Sequence, residues 1–333
     1  MKFKYSFIVP VYNRPNEIEE LLDSFFLMEK NIAYEIVIVE DGSTISSEKV
    51  IEKYADQLNI LYLKKENSGP GDSRNYGMKR ANGDYMLILD SDVVMPAHYL
   101  LAVDDFLIKN PVDCFGGPDA SKDNFSPIQK AISFVMTSFL TTGGIRGKEK
   151  SIKSYEPRSF NMGISKKAFF KTGGFGKIHP GEDPDLSIRI KNAGFKIGFI
   201  KKAYVFHKRR ISWDKFYTQV NKFGKVRPIL NSWHPQTSSL VFWFPSLFIL
   251  GLVISLFLLM LGYSFAILIY LFYLLLIFVL AAIENKSFKI GFLAIRAILT
   301  QFFGYGLGFL KSTYYIKILK KNPKLIFPEL FFN

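Results

Sequence analysis

One apolar run in this chain ends abruptly in two carboxylates. Tyr85–Leu89 shows no alternation of polar and apolar side chains, and Asp90 and Asp92 follow it directly. A strand without alternation is buried on both faces, as in a parallel sheet. Open sheets of this kind bind ligands outside the carboxyl ends of their strands. Two acids at such a position repel each other unless a cation neutralises them, so they predict a site for a hard divalent cation.

The first 95 residues alternate between strand and helix patterns. Short apolar runs are followed by segments with apolar residues at helical spacing, in one case with Pro at the first helical position. This alternation is typical of a mostly parallel sheet with helices on both faces. The predicted strands are residues 5–11, 35–39, 60–63 and 85–89, and the predicted helices are residues 15–29, 47–57 and 73–81.

Polar residues follow three of the predicted strands. Tyr12 and Asn13 come after the first strand and Asp41 after the second. Asp90 and Asp92 come after the fourth. Because the carboxyl ends of parallel strands meet at one edge of a sheet, we expect these side chains to converge. The sequence therefore predicts a nucleotide site at this edge.

Several of these residues also have a simpler interpretation. Asp41 followed by Gly42 is a common turn pair. Residues 67–71 form a loop by composition, although their glycines would also let the backbone approach a phosphate. Arg74 is either an ordinary surface residue or a side chain that reaches a ribose or diphosphate. The residues alone leave both interpretations open.

Four motifs within about the first hundred residues resemble the successive motifs of family 2 glycosyltransferases, which have the GT-A fold. The resemblance implies a nucleotide-sugar donor, UDP being the commoner nucleotide in similar proteins, and Mn²⁺ or Mg²⁺ as cofactor. It also implies a catalytic domain over residues 1–230, with a nucleotide-binding half (1–95) and an acceptor half (96–230). The motifs are residues 7–14, 39–44, 71–75 and 89–92.

The same resemblance implies roles for individual residues of the first half. The residue matching Asp41 binds the base, Asp90 lies near the ribose, and Asp92 ligates the metal. The residues expected to bind the nucleotide are Pro10, Tyr12, Asn13, Asp41, Gly71, Arg74 and Asp90.

In the second half, residues 160–164 and 196–206 are predicted strands, and a short helix starts at residue 166. Pro184 suits the first position of a further helix, which makes Asp183 its N-cap. A helix N-terminus favours an ionised carboxylate, which is the form that a general base needs. The simpler interpretation is that Asp183 only caps the helix and that Asp185 and Arg189 form an ordinary ion pair at spacing i, i+4.

The sequence around Asp183 again resembles family 2 enzymes, in which the corresponding aspartate is the catalytic base. The resemblance assigns that role to Asp183 and implies that Glu182 orients the acceptor. It also makes His207 a candidate ligand of the metal or the diphosphate. The implied reaction is a single displacement with inversion. Residues 219–223 match a motif of processive synthases incompletely, with Lys and Phe where that motif has Arg and Trp, which favours transfer of one sugar.

The amino-acid composition also indicates that part of the chain lies in a membrane. Hydrophobic residues make up 49% of the chain, and residues 240–283 contain no charged side chain. That stretch is too long for one span of roughly 20 residues and breaks at Gly262, so it predicts a hairpin of two transmembrane helices. Residues 287–310 carry Arg296 and Gln301, which predicts an interfacial amphipathic helix, followed by a basic tail to residue 333.

The distribution of charge favours lipid over nucleic acid as a partner. The formal net charge is +14, with ten Lys or Arg against one acid in residues 196–227 and a second basic region after residue 283. Basic flanks on both sides of the hairpin predict that both are cytoplasmic. The start of the chain shows no signal-peptide pattern. We expect a multi-pass protein of the inner (plasma) membrane with a cytoplasmic catalytic domain. The single cysteine, Cys114, excludes an intramolecular disulfide.

An apolar stripe at helical spacing runs through residues 126–142. Such stripes are usually core. In a protein held at a bilayer, the stripe would alternatively lie on the membrane and guide a lipid-linked acceptor.

Three classes of function remain after these observations. The first is a membrane-anchored glycosyltransferase that acts on a lipid-linked or glycan acceptor. The second is a nucleotidyltransferase, which also needs a nucleotide fold and a metal. The third is a non-catalytic nucleotide-sugar-binding scaffold, which would have no use for all of Asp41, Asp92 and Asp183.

Overall fold

The computed structural model describes residues 3–29, 32–120, 125–143, 155–207 and 212–332, and of His207 only the backbone. These residues fall into two compact units. The first comprises residues 1–121, 149–208 and 331–333, and the second comprises residues 122–148 and 209–330. The described residues 125–143 and 212–230 belong to the second unit, and the catalytic domain expected from the resemblance spans residues 1–230.

All ten strands of the described chain belong to the first unit. They are β1 (Tyr5–Val11), β2 (Tyr34–Asp41), β3 (Ile60–Lys65), β4 (Tyr85–Leu89), β5 (Val93–Val94), β6 (Cys114–Gly116), β7 (Asp119–Ala120), β8 (Asn161–Ser165), β9 (Ile197–Phe199) and β10 (Val205–His207).

Thirteen α-helices are distributed over the described parts of the two units. They are α1 (Pro15–Phe26), α2 (Glu48–Glu52), α3 (Pro70–Met78), α4 (Tyr99–Lys109), α5 (Pro127–Thr137), α6 (Phe139–Thr142), α7 (Lys166–Thr172), α8 (Glu182–Asn192), α9 (Trp213–Trp233), α10 (Phe244–Met260), α11 (Phe265–Glu284), α12 (Phe288–Thr313) and α13 (Pro323–Ile326).

A seven-stranded sheet organises the first unit. Its order is β3-β2-β1-β4-β8-β6-β9, and a smaller sheet has the order β5-β10-β7. The pairs β1–β2, β1–β4, β2–β3 and β6–β9 are parallel, whereas β8 runs antiparallel to β4 and to β6. The sheet is therefore mostly parallel, as the alternation of strands and helices predicts.

Helices cover both faces of this sheet. Phe7, Val9 and Leu87 face a buried cluster that includes residues of α1 and α4. Ile8 and Ile88 face the opposite cluster, which includes residues of α3, α7 and α8. All five residues of β4 are buried. Burial on both faces explains why this strand shows no alternation of polar and apolar side chains.

Two predicted elements of the first unit are wrong in detail. The single strand predicted over residues 196–206 is two strands, β9 and β10, in different sheets. Helix α8 begins at Glu182 after the N-cap Gly181, so Asp183 is not the cap. Gly181 has a φ of 122°, which favours glycine and starts the helix earlier than Pro184 would indicate.

The second unit contains three stretches that are long and apolar enough to cross a membrane. They are Leu240–Met260, Phe265–Glu284 and Phe288–Ile318, of 21, 20 and 31 residues. The first two correspond to the predicted hairpin. The third includes the segment predicted to lie in the interface, and its length and composition also suffice for a span.

Helices α9 and α12 pack closely through glycines. A Cβ on Gly224 would lie 2.1 Å from the carbonyl oxygen of Tyr305, and one on Gly308 would lie 2.4 Å from that of Asn221. The Nδ2 group of Asn221 donates a hydrogen bond to the carbonyl oxygen of Gly304 at 2.9 Å. Bare α-carbons thus let the two backbones approach, as small residues do in membrane helix pairs.

The apolar stripe of residues 126–142 packs inside the second unit. Ile132, Val135 and Met136 of α5 lie in one buried cluster with residues of α9 to α12, such as Phe302. The extended Ser138 separates α5 from α6, so the stripe is carried by two helices. This packing fits the interpretation of the stripe as core.

Candidate active site

Asp41 ends β2 and fixes the loop that leads into α3. Its Oδ1 accepts hydrogen bonds from Lys65 Nζ at 2.8 Å and from the Ser68 amide at 3.0 Å. Its Oδ2 accepts one from the Gly69 amide at 2.9 Å. The carboxylate is buried, and Lys65 neutralises it. Asp41 therefore shapes the loop at the edge where the sequence places the base pocket.

Asn13 holds the neighbouring loop against the end of β1. Its Oδ1 accepts hydrogen bonds from the amides of Thr44 at 2.8 Å and Ile45 at 2.9 Å, and its own amide donates to Ser43 Oγ at 2.8 Å. Its φ of 54° is the left-handed conformation that asparagine tolerates. Tyr12 beside it is 51% exposed, which leaves its ring free to face a ligand.

Pro10 and Gly71 each lie next to other backbone segments of the protein. Pro10 lies in β1, in register with Val39 of β2. Gly71 lies in the first turn of α3, where an added Cβ would stand 3.0 Å from the carbonyl oxygen of Gly176. The bare α-carbon of Gly71 thus admits a close approach of the protein's own backbone.

Arg74 of α3 joins two parts of the site that are far apart in sequence. Its guanidinium donates to Asp90 Oδ1 at 2.8 Å and to Glu182 Oε1 at 3.1 Å. The side chains of Arg74 and Glu182 are each 4% exposed, and Asp90 is 31% exposed. Burial alone would lower the pKa of Arg74, but Asp90, Glu182 and Asp183 raise it above its ordinary value. Arg74 is thus a buried cation, not a surface residue.

Glu182 has a second partner in His179. The Nδ1 atom of His179 lies 2.8 Å from Glu182 Oε1. Burial alone would raise the pKa of Glu182, but His179 and Arg74 lower it to about 2. Glu182 is therefore an ionised carboxylate held from two sides.

Asp183 follows Glu182 in the first turn of α8. Burial and the charge of Glu182 raise the pKa of Asp183 to about 6, although Arg74 and Arg158 act in the opposite direction. Its Oδ1 is buried and has no hydrogen-bond partner among the described residues. A carboxylate whose pKa approaches neutrality, with an unused acceptor atom, is suited to take a proton from a bound hydroxyl.

The two acids after β4 have different partners. Asp90 binds Arg74, whereas Asp92 Oδ2 lies 2.5 Å from Arg14 of the loop after β1. The backbone of His207 pairs with Val93, the residue after Asp92. The side chain of His207 lies outside the described residues.

Asp92 is the described carboxylate of the expected cation site. Within the described residues, no cluster of three or more His, Cys, Asp or Glu side chains is present. Asp92 is paired with Arg14, so a cation would compete with this guanidinium for the carboxylate. The backbone register places His207 on the strand that pairs with Val93. Carboxylate oxygens such as those of Asp92 are ligands that suit both Mg²⁺ and Mn²⁺.

Asp185 and Arg189 form the predicted ion pair at spacing i, i+4. Arg189 Nε and Nη2 lie 3.0 and 2.7 Å from Asp185 Oδ2. Arg189 also donates to the carbonyl oxygens of Thr172 and Gly174, both at 2.7 Å. This pair ties α8 to the turn after α7.

Sequence reasoning missed four residues of the site. Lys65, Arg14 and His179 neutralise or bind an acid, and Arg158 lies near Asp183. Each is an ordinary residue in the sequence, and its partner is set by the fold. Arg14 lies within the first family motif, residues 7–14, but the resemblance assigned it no role.

The comparisons with known proteins agree with this architecture. Residues 6–173, half of the chain, match the family model "Glycosyl transferase family 2". The chain therefore belongs to glycosyl transferase family 2, which confirms the predicted family.

Curated relatives match a shorter part of the chain. The poly(ribitol-phosphate) beta-N-acetylglucosaminyltransferase TarS of Staphylococcus aureus is 39% identical over 92 residues, which is 27% of this chain and 16% of the relative. The minor teichoic acid biosynthesis protein GgaB of Bacillus subtilis is 36% identical over 95 residues, which is 27% of this chain and 10% of the relative. This chain thus matches less than a fifth of the length of either protein.

A solved structure is similar over most of the chain. The mannosyltransferase PcManGT from Pyrobaculum calidifontis, in complex with GDP-Man and Mn²⁺, has a TM-score of 0.59 and 15% identity. The likeness covers 94% of this chain and 88% of that one. At this identity the likeness concerns the fold alone. Together with the family, it confirms the predicted GT-A fold.

Proposed function

We propose that this protein is an inverting glycosyltransferase that moves one sugar from a UDP-linked donor to a lipid-linked or glycan acceptor at the membrane. The observation that carries the proposal is the bridge made by Arg74. This buried cation connects Asp90, at the end of the nucleotide edge, to Glu182, beside the proposed base Asp183. A donor site and a proton acceptor are thereby held next to each other in one unit.

The hydrogen bonds of Asp41 favour uridine over guanosine as the donor base. Oδ1 accepts two bonds from Lys65 and Ser68, and Oδ2 accepts one from Gly69. One acceptor position on Oδ2 is therefore left, which matches the single N–H of uracil. Guanine presents two adjacent donors, which a carboxylate accepts best with both oxygens.

The proposed reaction divides labour between two acids. Asp183 removes a proton from the acceptor hydroxyl, whose oxygen attacks the anomeric carbon from the face opposite the departing diphosphate. Its raised pKa of about 6 places it near the range in which a general base is most effective. Glu182, held ionised by Arg74 and His179, orients the acceptor.

Asp92 and His207 would hold Mn²⁺ or Mg²⁺. The bound cation would supply positive charge beside the diphosphate leaving group. Arg14, whose guanidinium lies 2.5 Å from Asp92 Oδ2, would compete with the cation for this carboxylate. Asp90 would then serve the ribose, because Arg74 engages its Oδ1 and keeps it oriented.

The apolar helices of the second unit support a membrane location. Three stretches have sufficient length, and basic residues such as Lys311, Lys317 and Lys321 follow or end the third. With the first two stretches crossing as a hairpin, the basic residues before and after them lie on one side, and basic flanks favour the cytoplasmic side and anionic lipid. The names of TarS and GgaB refer to ribitol-phosphate polymer and teichoic acid, which supports a surface glycan as the final product.

A donor screen tests the proposal. The detergent-solubilised full chain is heated with UDP-sugars or GDP-sugars, each with and without Mn²⁺. A ligand at about 100 times its Kd stabilises the folded state by about 2.7 kcal/mol, so bound donors are easily detected. We expect stabilisation by UDP-sugars that increases with Mn²⁺. Stabilisation by no nucleotide sugar, with pyrophosphate released from nucleoside triphosphates, would instead support a nucleotidyltransferase.

A further inference from the structure

Phe332 lies near two residues that adjoin the proposed site, Gly69 and His179. A Cβ added to Gly69 would stand 2.4 Å from the Phe332 ring, so the ring lies against the bare α-carbon of Gly69. The centroid of the Phe332 ring also lies 6.0 Å from that of the His179 ring. Gly69 donates to Asp41, and His179 contacts Glu182. Phe332 therefore adjoins the loop that contains Gly69 and the His179 side chain, which contacts the first member of the acid pair Glu182 and Asp183.

The backbone fixes the position of this ring. The Phe332 amide donates a hydrogen bond to the carbonyl oxygen of Lys177 at 3.0 Å. Phe331 forms an isolated antiparallel bridge with Ile178. The segment Phe331–Phe332 is thus attached to the two residues that precede His179.

His179 is much more exposed to solvent than the acid that it contacts. Its side chain is 41% exposed, whereas that of its partner Glu182 is 4% exposed. An exposed imidazole loses its hydrogen bond whenever it rotates into solvent, and the packed ring of Phe332 restricts this rotation. Glu182 would then keep Arg74 as its remaining side-chain partner.

We propose that Phe332 is a positioning residue that holds His179 against Glu182 and thereby keeps the acid pair in place for transfer. This inference rests on the proposed function, in which Glu182 orients the acceptor. In this role Phe332 acts on Glu182 and Asp183 only through His179. Its contact with Gly69 offers a competing role, in which it only supports the loop at the base pocket.

A double-mutant cycle separates these two roles. The variants are Phe332→Ala, His179→Ala and the double variant, with the exposed Phe170→Ala on α7 as a control for loss of a phenylalanine ring. Displacing a catalytic group by about 1 Å can cost 10²-fold, so we expect Phe332→Ala to lower kcat by about tenfold. The donor KM should stay within about twofold, and Phe332→Tyr should restore most of kcat.

The cycle predicts that Phe332→Ala has no further effect on kcat in the His179→Ala background, because residues that act through one contact are not additive. Independent, multiplying losses would overturn the inference. A rise in donor KM that accounts for the whole loss would overturn it too, since it would assign Phe332 to the loop. An unchanged kcat in Phe332→Ala would also overturn the inference.

A spectroscopic measurement tests the contact between Phe332 and His179 independently of activity. The chain has four histidines, so histidine-selective labelling gives at most four ring signals by NMR, and His179→Ala assigns one of them. Phe332→Leu should shift the His179 signal, and Phe170→Ala should not. An unmoved signal would contradict the proposed contact. If no donor supports transfer but the signal moves, the proposed function fails while the contact stands.

Discussion

Replacing Arg74 with Met tests the ion network at the centre of the site. Met keeps the apolar length of the side chain and removes the guanidinium that joins Asp90 to Glu182. Glu182 then remains as a buried carboxylate with His179 as its partner. Asp90 also loses its cation but is more exposed to solvent.

The magnitude follows from the burial of each partner. Removing one member of a buried ion pair costs about 3–5 kcal/mol, and His179 keeps the loss at Glu182 near the lower value. The more exposed contact with Asp90 adds at most about 1 kcal/mol. A loss of about 3 kcal/mol lowers the Tm of a domain of this size by about 6–12 °C.

Cys114 provides the assay. It is the only cysteine in the sequence and is fully buried in β6 of the first unit. A thiol-reactive dye added to the solubilised protein during heating therefore reports the opening of this unit. We expect the labelling transition of Arg74→Met at a lower temperature than that of the wild type.

A second variant controls for loss of packing alone. Arg74→Met combined with Glu182→Gln removes both charges, so the buried carboxylate no longer lacks its cation. The double variant should regain at least half of the lost Tm. A Tm of Arg74→Met within about 2 °C of the wild-type Tm would refute the reasoning, because the expected decrease is about 6–12 °C. A double variant less stable than the single one would refute it as well.

Three further predictions concern the base, the cation site and the helices of the second unit. The rate of sugar transfer should fall as the pH drops through about 6. Below the raised pKa of Asp183 its carboxyl group is protonated and cannot accept a proton from the acceptor. A constant rate from about pH 5 to 7 would contradict this prediction. Arg14→Gln should strengthen Mn²⁺ binding by up to about fivefold, measured by calorimetry. The reason is that the partly exposed ion pair of Arg14 with Asp92, worth about 1 kcal/mol, must be broken before the cation binds this carboxylate. Unchanged or weaker Mn²⁺ binding would contradict this prediction. Gly224→Ala should destabilise the second unit by about 1–3 kcal/mol, seen in tryptophan fluorescence, because the new Cβ meets the Tyr305 carbonyl; an unchanged Tm contradicts it.

The sequence predicted the parts of the fold that depend on local patterns. Four strands and their order along the chain follow from apolar runs, and β4 is buried on both faces as its lack of alternation indicates. Asp41 ends β2 and Asp90 follows β4, both parallel to β1, so both acids lie at the same edge of the sheet as strand direction indicates.

The remaining features depend on contacts between distant segments. Arg74 and Glu182 are 108 positions apart, and nothing near either residue indicates its partner. The early start of α8 depends on the backbone conformation of Gly181, which composition does not reveal. The stripe on α5 is equally apolar whether it packs in the first unit, in the second or on a bilayer, so its partners could not be chosen from its pattern.

The central claim is that Asp183 is the base of a sugar transfer. It is tested most directly by incubating the wild type and Asp183→Asn with radiolabelled UDP-sugars, Mn²⁺ and a membrane lipid extract. We expect Asp183→Asn to lose about 10²-fold or more of the transfer rate while UDP-sugars still stabilise it against heat. Transfer by Asp183→Asn at the wild-type rate would contradict the account.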